Sequence, residues 1–301
     1  MLDLKEIKSI EIVPYTLMTS SVSAVWAFIY AIVLTIGYAA VFAIAPTPAN
    51  EALIGFYGAS IISSPVSSFV LGILQSFLFA LIYNLLVPRL GGIKLGLVDL
   101  NEIQSIPAIP LALITSAVSA IMVLLILLII VPLFAAYIPL VAQAMSSLPL
   151  NGTTVPINVD ALGTFGIIGA ILSIIIIPIV FFIISFILSA LTALFYNVLA
   201  PSLGGIKLEF AAAQDNMYEI LSIAPVQLAL IIASVVTVWM LIAGIVALII
   251  AALYGSAIMG GILLVTFVIV GFIASFIVYA ILALIYNFLR PRIGGVKLEL
   301  E

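Results

Sequence analysis

Long apolar runs dominate this chain, and its polar residues are confined to short stretches between them. Tyr15 to Asn50, Leu111 to Val159 and Pro225 to Leu289 contain no charged residue. Each exceeds the roughly 20 residues that cross a bilayer core. Breaks divide each run into a pair of helices. The first pair is expected at about Tyr15–Ala43 and, after the Pro- and Asn-containing stretch Ala45 to Leu53, onward to Val87. The second is expected at Leu111–Val141 and Leu162–Ala200, around Asn151, Gly152 and Pro156. The third is expected at Pro225–Tyr254 and Ile262–Leu289, turning through Gly255 to Gly261. The fold class that follows is an all-α membrane protein with six transmembrane helices. Pro65, Pro132 and Pro178 lie inside apolar runs and mark kinks, which membrane helices tolerate.

The stretches that close the helix pairs repeat one another. Tyr83-Asn84-Leu85-Leu86-Val87-Pro88-Arg89-Leu90-Gly91-Gly92-Ile93-Lys94-Leu95 returns in register from Tyr196 to Leu208 and from Tyr286 to Leu298. The fixed set is Tyr83, Asn84, Pro88, Gly91, Gly92 and Lys94; then Tyr196, Asn197, Pro201, Gly204, Gly205 and Lys207; then Tyr286, Asn287, Pro291, Gly294, Gly295 and Lys297. A second phrase opens each unit: Glu6-Ile7-Lys8-Ser9-Ile10, Glu102-Ile103-Gln104-Ser105-Ile106 and Glu219-Ile220-Leu221-Ser222-Ile223. Self-similarity at this spacing divides the chain into repeats at residues 1–97, 98–210 and 211–301. Two helices per repeat return the chain to the side it started from. The repeats are therefore expected to be parallel, related by a pseudo-threefold axis along the membrane normal.

Each residue of the closing motif has a structural reading. Tyr suits an aromatic belt at the membrane boundary. Asn is placed to bond a neighbouring helix or the last carbonyls of its own. Pro is expected to end the helix, and Gly-Gly permits a sharp turn or close backbone approach. The residues after it, as in Ile206-Lys207-Leu208-Glu209-Phe210, alternate with period two and predict a half-buried strand. Closing strands and opening phrases together are expected to form a small cytoplasmic β-cap, which would also protect their edges. A phosphate cradle of the glycines with Lys94, Lys207 and Lys297 is the alternative. It runs against the required order of strand, glycines and helix.

Upstream of each Asn, small residues recur in steps of four along one helix flank: Ala80, Ser76 and Gly72; Ala193, Ser189 and Ser185; Ala283 and Ser275, with Tyr279 interrupting the third. Ser20/Ala24, Ser116/Ala120 and Ala233/Thr237 are a weaker version on the first helices. Small residues let helices approach closely in lipid.

Charge sets the orientation. All eight basic residues, Lys5, Lys8, Arg89, Lys94, Lys207, Arg290, Arg292 and Lys297, fall on the side of the termini, and the opposite loops carry Glu51 and Asp160. Positive residues mark the cytoplasmic face, so both termini are expected there, in a multi-pass cell-membrane protein. The acceptor sequon Asn151-Gly152-Thr153 is then external and open to glycosylation.

Composition limits the chemistry. The 301 residues are 66% hydrophobic and 7% charged, against about 25% charged in soluble domains. A net charge of -4 gives no basis for a nucleic-acid partner. The absence of Cys and His removes thiolate chemistry, the usual zinc sites and axial haem ligation, and neither a metal nor another cofactor is expected. The spans hold Ser, Thr, Tyr, Asn and Gln with no carboxylate or His to activate them, so catalysis is not expected. Gln75 is the polar residue expected deepest in the membrane, with Gln143 and Gln227 towards helix ends.

The ending Tyr-Asn-x-Leu-x-x-x-x-Gly-Gly-Ile-x-Leu, behind two apolar helices and a short Ile- and Ser-containing opening, resembles a family of small prokaryotic two-helix membrane proteins of unknown function. The resemblance covers Tyr83, Asn84, Gly91, Gly92 and their counterparts. It implies a two-helix unit with a terminal strand, used here in three copies, and it implies no activity. The chain departs in its copy number, in Lys after Ile, and in lacking an Asp-Pro near the opening phrase.

Two functions remain. One is a structural or accessory membrane protein without chemistry of its own, which packs with lipids, with other membrane subunits or with itself. The other is a channel or facilitator for a small neutral or apolar solute along the pseudo-threefold axis. An axis lined by Ser, Thr and Gln would favour conduction, and one plugged by Leu, Ile and Val would favour structure.

Overall fold

A computed structural model describes residues 2–146, 159–213 and 216–301. The element order is β1 (Leu2–Ile10), α1 (Ile12–Ile44), α2 (Pro48–Leu90), β2 (Lys94–Val98), β3 (Glu102–Ser105), α3 (Ala108–Ser146), α4 (Val159–Leu203), β4 (Ile206–Ala212), β5 (Met217–Ile223), α5 (Pro225–Leu253), α6 (Ala257–Ile293) and β6 (Lys297–Leu300). Six helices among the described residues are long and apolar enough to cross a membrane. Asn151 and its sequon lie outside the described residues.

The chain divides into two compact units. One is Met1–Leu111 together with Ala190–Glu301, and the other is Ala112–Ser189. The second unit consists of the greater parts of α3 and α4, which face each other across a groove of about 350 Å³ lined by Phe134, Ala135, Gly169 and Ala170 among others. The first unit holds all the strands and the α1–α2 and α5–α6 hairpins.

Local chemistry sets the helix ends, and two expectations need correction. The break anticipated at Ala45 to Leu53 shrinks to residues 45–47, because Thr47 caps α2 by accepting the Asn50 N–H at 3.2 Å and Pro48 starts the first turn. Threonine caps and N-terminal proline are start signals, so the polar stretch belongs to the helix that follows. The motif prolines do not end their helices. Pro88, Pro201 and Pro291 lie inside α2, α4 and α6, which run on to Leu90, Leu203 and Ile293. A proline in the last turn sacrifices one N–H and clashes only with the carbonyl four residues earlier, which here belongs to the motif Asn. The stop comes from the first glycine. Gly91, Gly204 and Gly294 take φ of +80°, +83° and +82°, a region costly for any residue with a Cβ. Their N–H groups close the last turns on Val87, Ala200 and Arg290. The helices likewise continue through Pro65, Pro132 and Pro178.

The strands form a closed barrel in the order β1-β2-β3-β4-β5-β6, every neighbour antiparallel and β6 returning to β1. The sheet that was expected therefore exists, and it is closed on itself. Closure removes free edges, which open sheets must otherwise protect. Buried Ile7, Leu95, Leu97, Ile103 and Leu300 form its apolar core. In a barrel this narrow, side chains fill the interior. The β2–β3 turn puts Asp99 and Leu100 at φ +51° and +55°, the conformation two-residue hairpin turns prefer.

The small-residue flank packs as expected in the first hairpin. Ala80 and Ser76 are buried, and a Cβ on Gly72 would sit 3.1 Å from the Ser20 Cα.

Candidate functional site

The motif residues converge where a helix end meets the barrel. The site is built from the second helix of each pair, which delivers Tyr and Asn one residue apart. The glycines bring the chain back beneath them, and the opening phrase runs alongside as a strand.

The tyrosines are not belt residues. Tyr83 is 1% exposed, and its hydroxyl donates to the Ile7 carbonyl at 2.7 Å while accepting the Ile93 N–H at 3.0 Å. Tyr196 donates to the Ile103 carbonyl and accepts the Ile206 N–H at 3.0 Å. Tyr286 donates to Ile220 at 2.8 Å and accepts from Val296 at 3.1 Å. A hydroxyl that both donates and accepts can bridge two strands, and burial makes each bond necessary.

The asparagines correct a second expectation. They bond neither a neighbouring helix nor their own carbonyls. Asn84 Nδ2 donates to the Ile10 carbonyl at 2.9 Å, and Oδ1 accepts the Ile10 N–H at 2.9 Å. Asn197 makes the same pair with Ile106 at 2.8 and 2.7 Å, and Asn287 with Ile223 at 2.8 and 2.9 Å. Ile10, Ile106 and Ile223 stand where a strand becomes a helix, so their backbone groups have little ladder to use. A side-chain amide matches a peptide group donor for acceptor.

The second glycines let the two backbones meet. A Cβ on Gly92 would collide with the Ile7 carbonyl and come within 3.0 Å of the Tyr83 hydroxyl. Gly205 and Gly295 face the Ile103 and Ile220 carbonyls in the same way. Their N–H groups are already engaged: Gly92, Gly205 and Gly295 donate to Oε1 of Glu6, Glu102 and Glu219, each at 2.8 Å. With the carboxylate in place, the phosphate cradle has lost its donor.

These glutamates are the part of the site that sequence reading passed over. The signal was present, since Glu begins all three opening phrases, but a lone acidic residue at a strand gives no hint of a partner about 90 residues away. Each carboxylate has its own cation. Lys8 Nζ lies 3.3 Å from Glu6, Lys207 Nζ 3.9 Å from Glu102, and Arg290 Nε 3.1 Å from Glu219. The Gly92 N–H holds the Glu6 carboxyl below its ordinary value, helped by Lys8 and Lys94 and opposed by partial burial. Glu6 in turn raises Lys8, with help from Glu301.

The motif lysines separate. Lys207 reaches Glu102, while Lys297 pairs with Glu11 at 3.3 Å. Of the expected polar residues, Gln227 joins helix ends by donating to the Leu203 carbonyl at 2.7 Å. Gln75 lies on an exposed face of α2. Among the described residues, no three or more His, Cys, Asp or Glu are grouped to hold a metal ion.

Comparison with protein-family models, with curated proteins and with solved structures finds no match for this chain.

Proposed function

We propose that this chain is a structural or accessory integral membrane protein that packs with other membrane subunits or lipids and performs no chemistry of its own. The observation that carries this reading is the use of the motif's polar groups. Each Tyr hydroxyl, Asn amide, Gly N–H and Glu carboxylate is already bonded within the site. Nothing in that set is left poised as nucleophile or base, as a catalytic site requires.

In this reading the three helix pairs are parallel repeats about a pseudo-threefold axis normal to the membrane, and the barrel is their shared cap. Lys5, Lys8, Lys94, Lys207 and Lys297 lie on the strands, and Arg89, Arg290 and Arg292 on adjoining helix ends. The positive-inside rule then makes the barrel side cytoplasmic. The likeness to the two-helix family of unknown function supports the same unit, a helix hairpin closed by a strand.

Conduction along the axis is the competing reading, and the Leu and Ile side chains filling the barrel weigh against it. Extraction in a mild detergent followed by native mass spectrometry separates the two. A membrane-protein partner in fixed stoichiometry is expected. A protein that always leaves the membrane alone, and that speeds solute entry into vesicles, would overturn the accessory role.

A further inference from the structure

The seams of the barrel are held in three ways. The β1–β2, β3–β4 and β5–β6 seams each carry one Tyr-Asn-Glu joint. The β2–β3 and β4–β5 seams join consecutive strands through short connections, so the chain itself limits their separation. The β6–β1 seam has neither device, because its strands are the last and first of the series.

Polar side chains take over there. Ser9 Oγ donates to Glu299 Oε2 at 2.7 Å. Lys8 lies 3.4 Å from Glu301, and Lys297 lies 3.3 Å from Glu11. Glu6 and Glu301 exchange backbone bonds at 2.8 and 3.0 Å. At the matching positions Gly96 faces Ser105 across β2–β3 without a carboxylate, and Glu209 faces Ser222 across β4–β5, whose strands are also tied by their short connection. The charged groups are reachable by salt: Lys8 and Lys297 are 37% and 34% exposed, Glu11 and Glu301 43% and 70%. Exposed pairs of this kind are weakened by screening.

The β1–β6 register shifts between Ile7 and Ser9, as the β2–β3 and β4–β5 registers also do, between Gly96 and Leu97 and between Glu209 and Phe210. A groove of about 310 Å³ lies beside the Tyr286 joint, lined by Met18 and Val22 of α1, Ile223 of β5, Ile232 of α5 and Tyr279 of α6. Tyr279 occupies the position that Ser76 and Ser189 hold relative to their motifs.

We propose that the β1–β6 seam is a salt-sensitive latch, the place where the barrel opens first while the other seams stay paired. Ion pairs set the closed population. The open state presents two strand edges, the kind of surface to which an extended segment adds.

Hydrogen exchange on the full chain in a nonionic detergent tests this. Raising salt from about 0.01 M to about 1 M shortens the screening length roughly tenfold. The amides of Glu6, Glu11 and Glu301, which donate across this seam to the carbonyls of Glu301, Lys297 and Glu6, are then expected to exchange about tenfold faster, as loss of a few exposed pairs implies. Those of Phe210 to Ala212 should hold their rates. The chain has no cysteine, so a Ser9→Cys/Glu299→Cys disulfide across paired positions should abolish the salt response. A Glu209→Cys/Ser222→Cys disulfide across β4–β5 should leave it intact. Equal acceleration in all seams, or no acceleration at β1–β6, would overturn the latch. The salt titration of the unaltered protein decides this even if a cysteine pair fails to fold.

Discussion

The barrel joints and the helix hairpins solve the same problem, holding two chain segments together, under different rules. At the joints, the same four contacts recur with the same residue types around Tyr83, Tyr196 and Tyr286. In the hairpins the solutions diverge. The α1–α2 pair closes by setting Gly72 on Ser20, whereas α5–α6 sets Gly244, Gly260 and Gly271 on Leu264, Leu248 and Met240. The difference lies in what each contact must satisfy. Helix backbones satisfy their own hydrogen bonds, so apolar faces need only fit in lipid, and many residues fit. At the joints, backbone groups leave the helix before entering the ladder, and an unpaired buried N–H or C=O is costly. Only particular side chains can supply those bonds.

The largest break in that comparison comes from the glycines. Gly205→Val drives a branched side chain into the Ile103 carbonyl and should cost more than about 4 kcal/mol, the range of severe backbone clashes. Folded yield by size-exclusion chromatography should collapse. Gly58→Ala, where a Cβ meets nothing within 4 Å, should leave that yield unchanged.

Next is Asn197→Leu, which strands both backbone groups of Ile106. At about 1–3 kcal/mol for each orphan, it should lower the unfolding midpoint in denaturant more than any helix-face change. Tyr286→Phe keeps the ring packing and loses the hydroxyl bridge between Ile220 and Val296. A smaller loss, about 1–3 kcal/mol, is expected.

Acid probes the carboxylate. The Glu6 carboxyl lies below its ordinary value of 4.5, so its ionised form favours the folded state. That contribution is complete above the ordinary value and is lost as pH falls through the lower folded value. Thermal stability should therefore fall in that window, and Glu6→Gln, which still accepts the Gly92 N–H, should flatten the fall. Smallest of all is a lipid-facing exchange such as Ile273→Leu on α6, where the residue is 52% exposed. Its effect on the same midpoint should stay within about 0.5 kcal/mol.

This contrast also explains what could be read from the chain. The helices announce themselves, since hydropathy alone marks a membrane span. The strands after Gly-Gly showed their period of two, and the recurring opening phrase pointed to a partner for them. Barrel closure was not legible, because the β6–β1 pairing joins Leu298 to Ile10 across the whole series and leaves no local pattern. The Asn and Tyr partners were misjudged for a related reason. Their bonds go to backbone atoms of Ile7, Ile10 and their counterparts, and backbone acceptors carry no sequence signature. The helix stop shifted from Pro to Gly because a proline in a final turn removes one bond, while positive φ redirects the chain.

Solute entry into reconstituted vesicles tests the central reading most directly. Vesicles carrying the protein, challenged with small neutral solutes and followed by light scattering, should swell no faster than protein-free vesicles. Thinning the barrel core with Leu97→Ala and Leu300→Ala should then be the change that opens any path. Rapid swelling with the unaltered protein, proportional to its amount in the membrane, would contradict the structural account and make the axis a conduit.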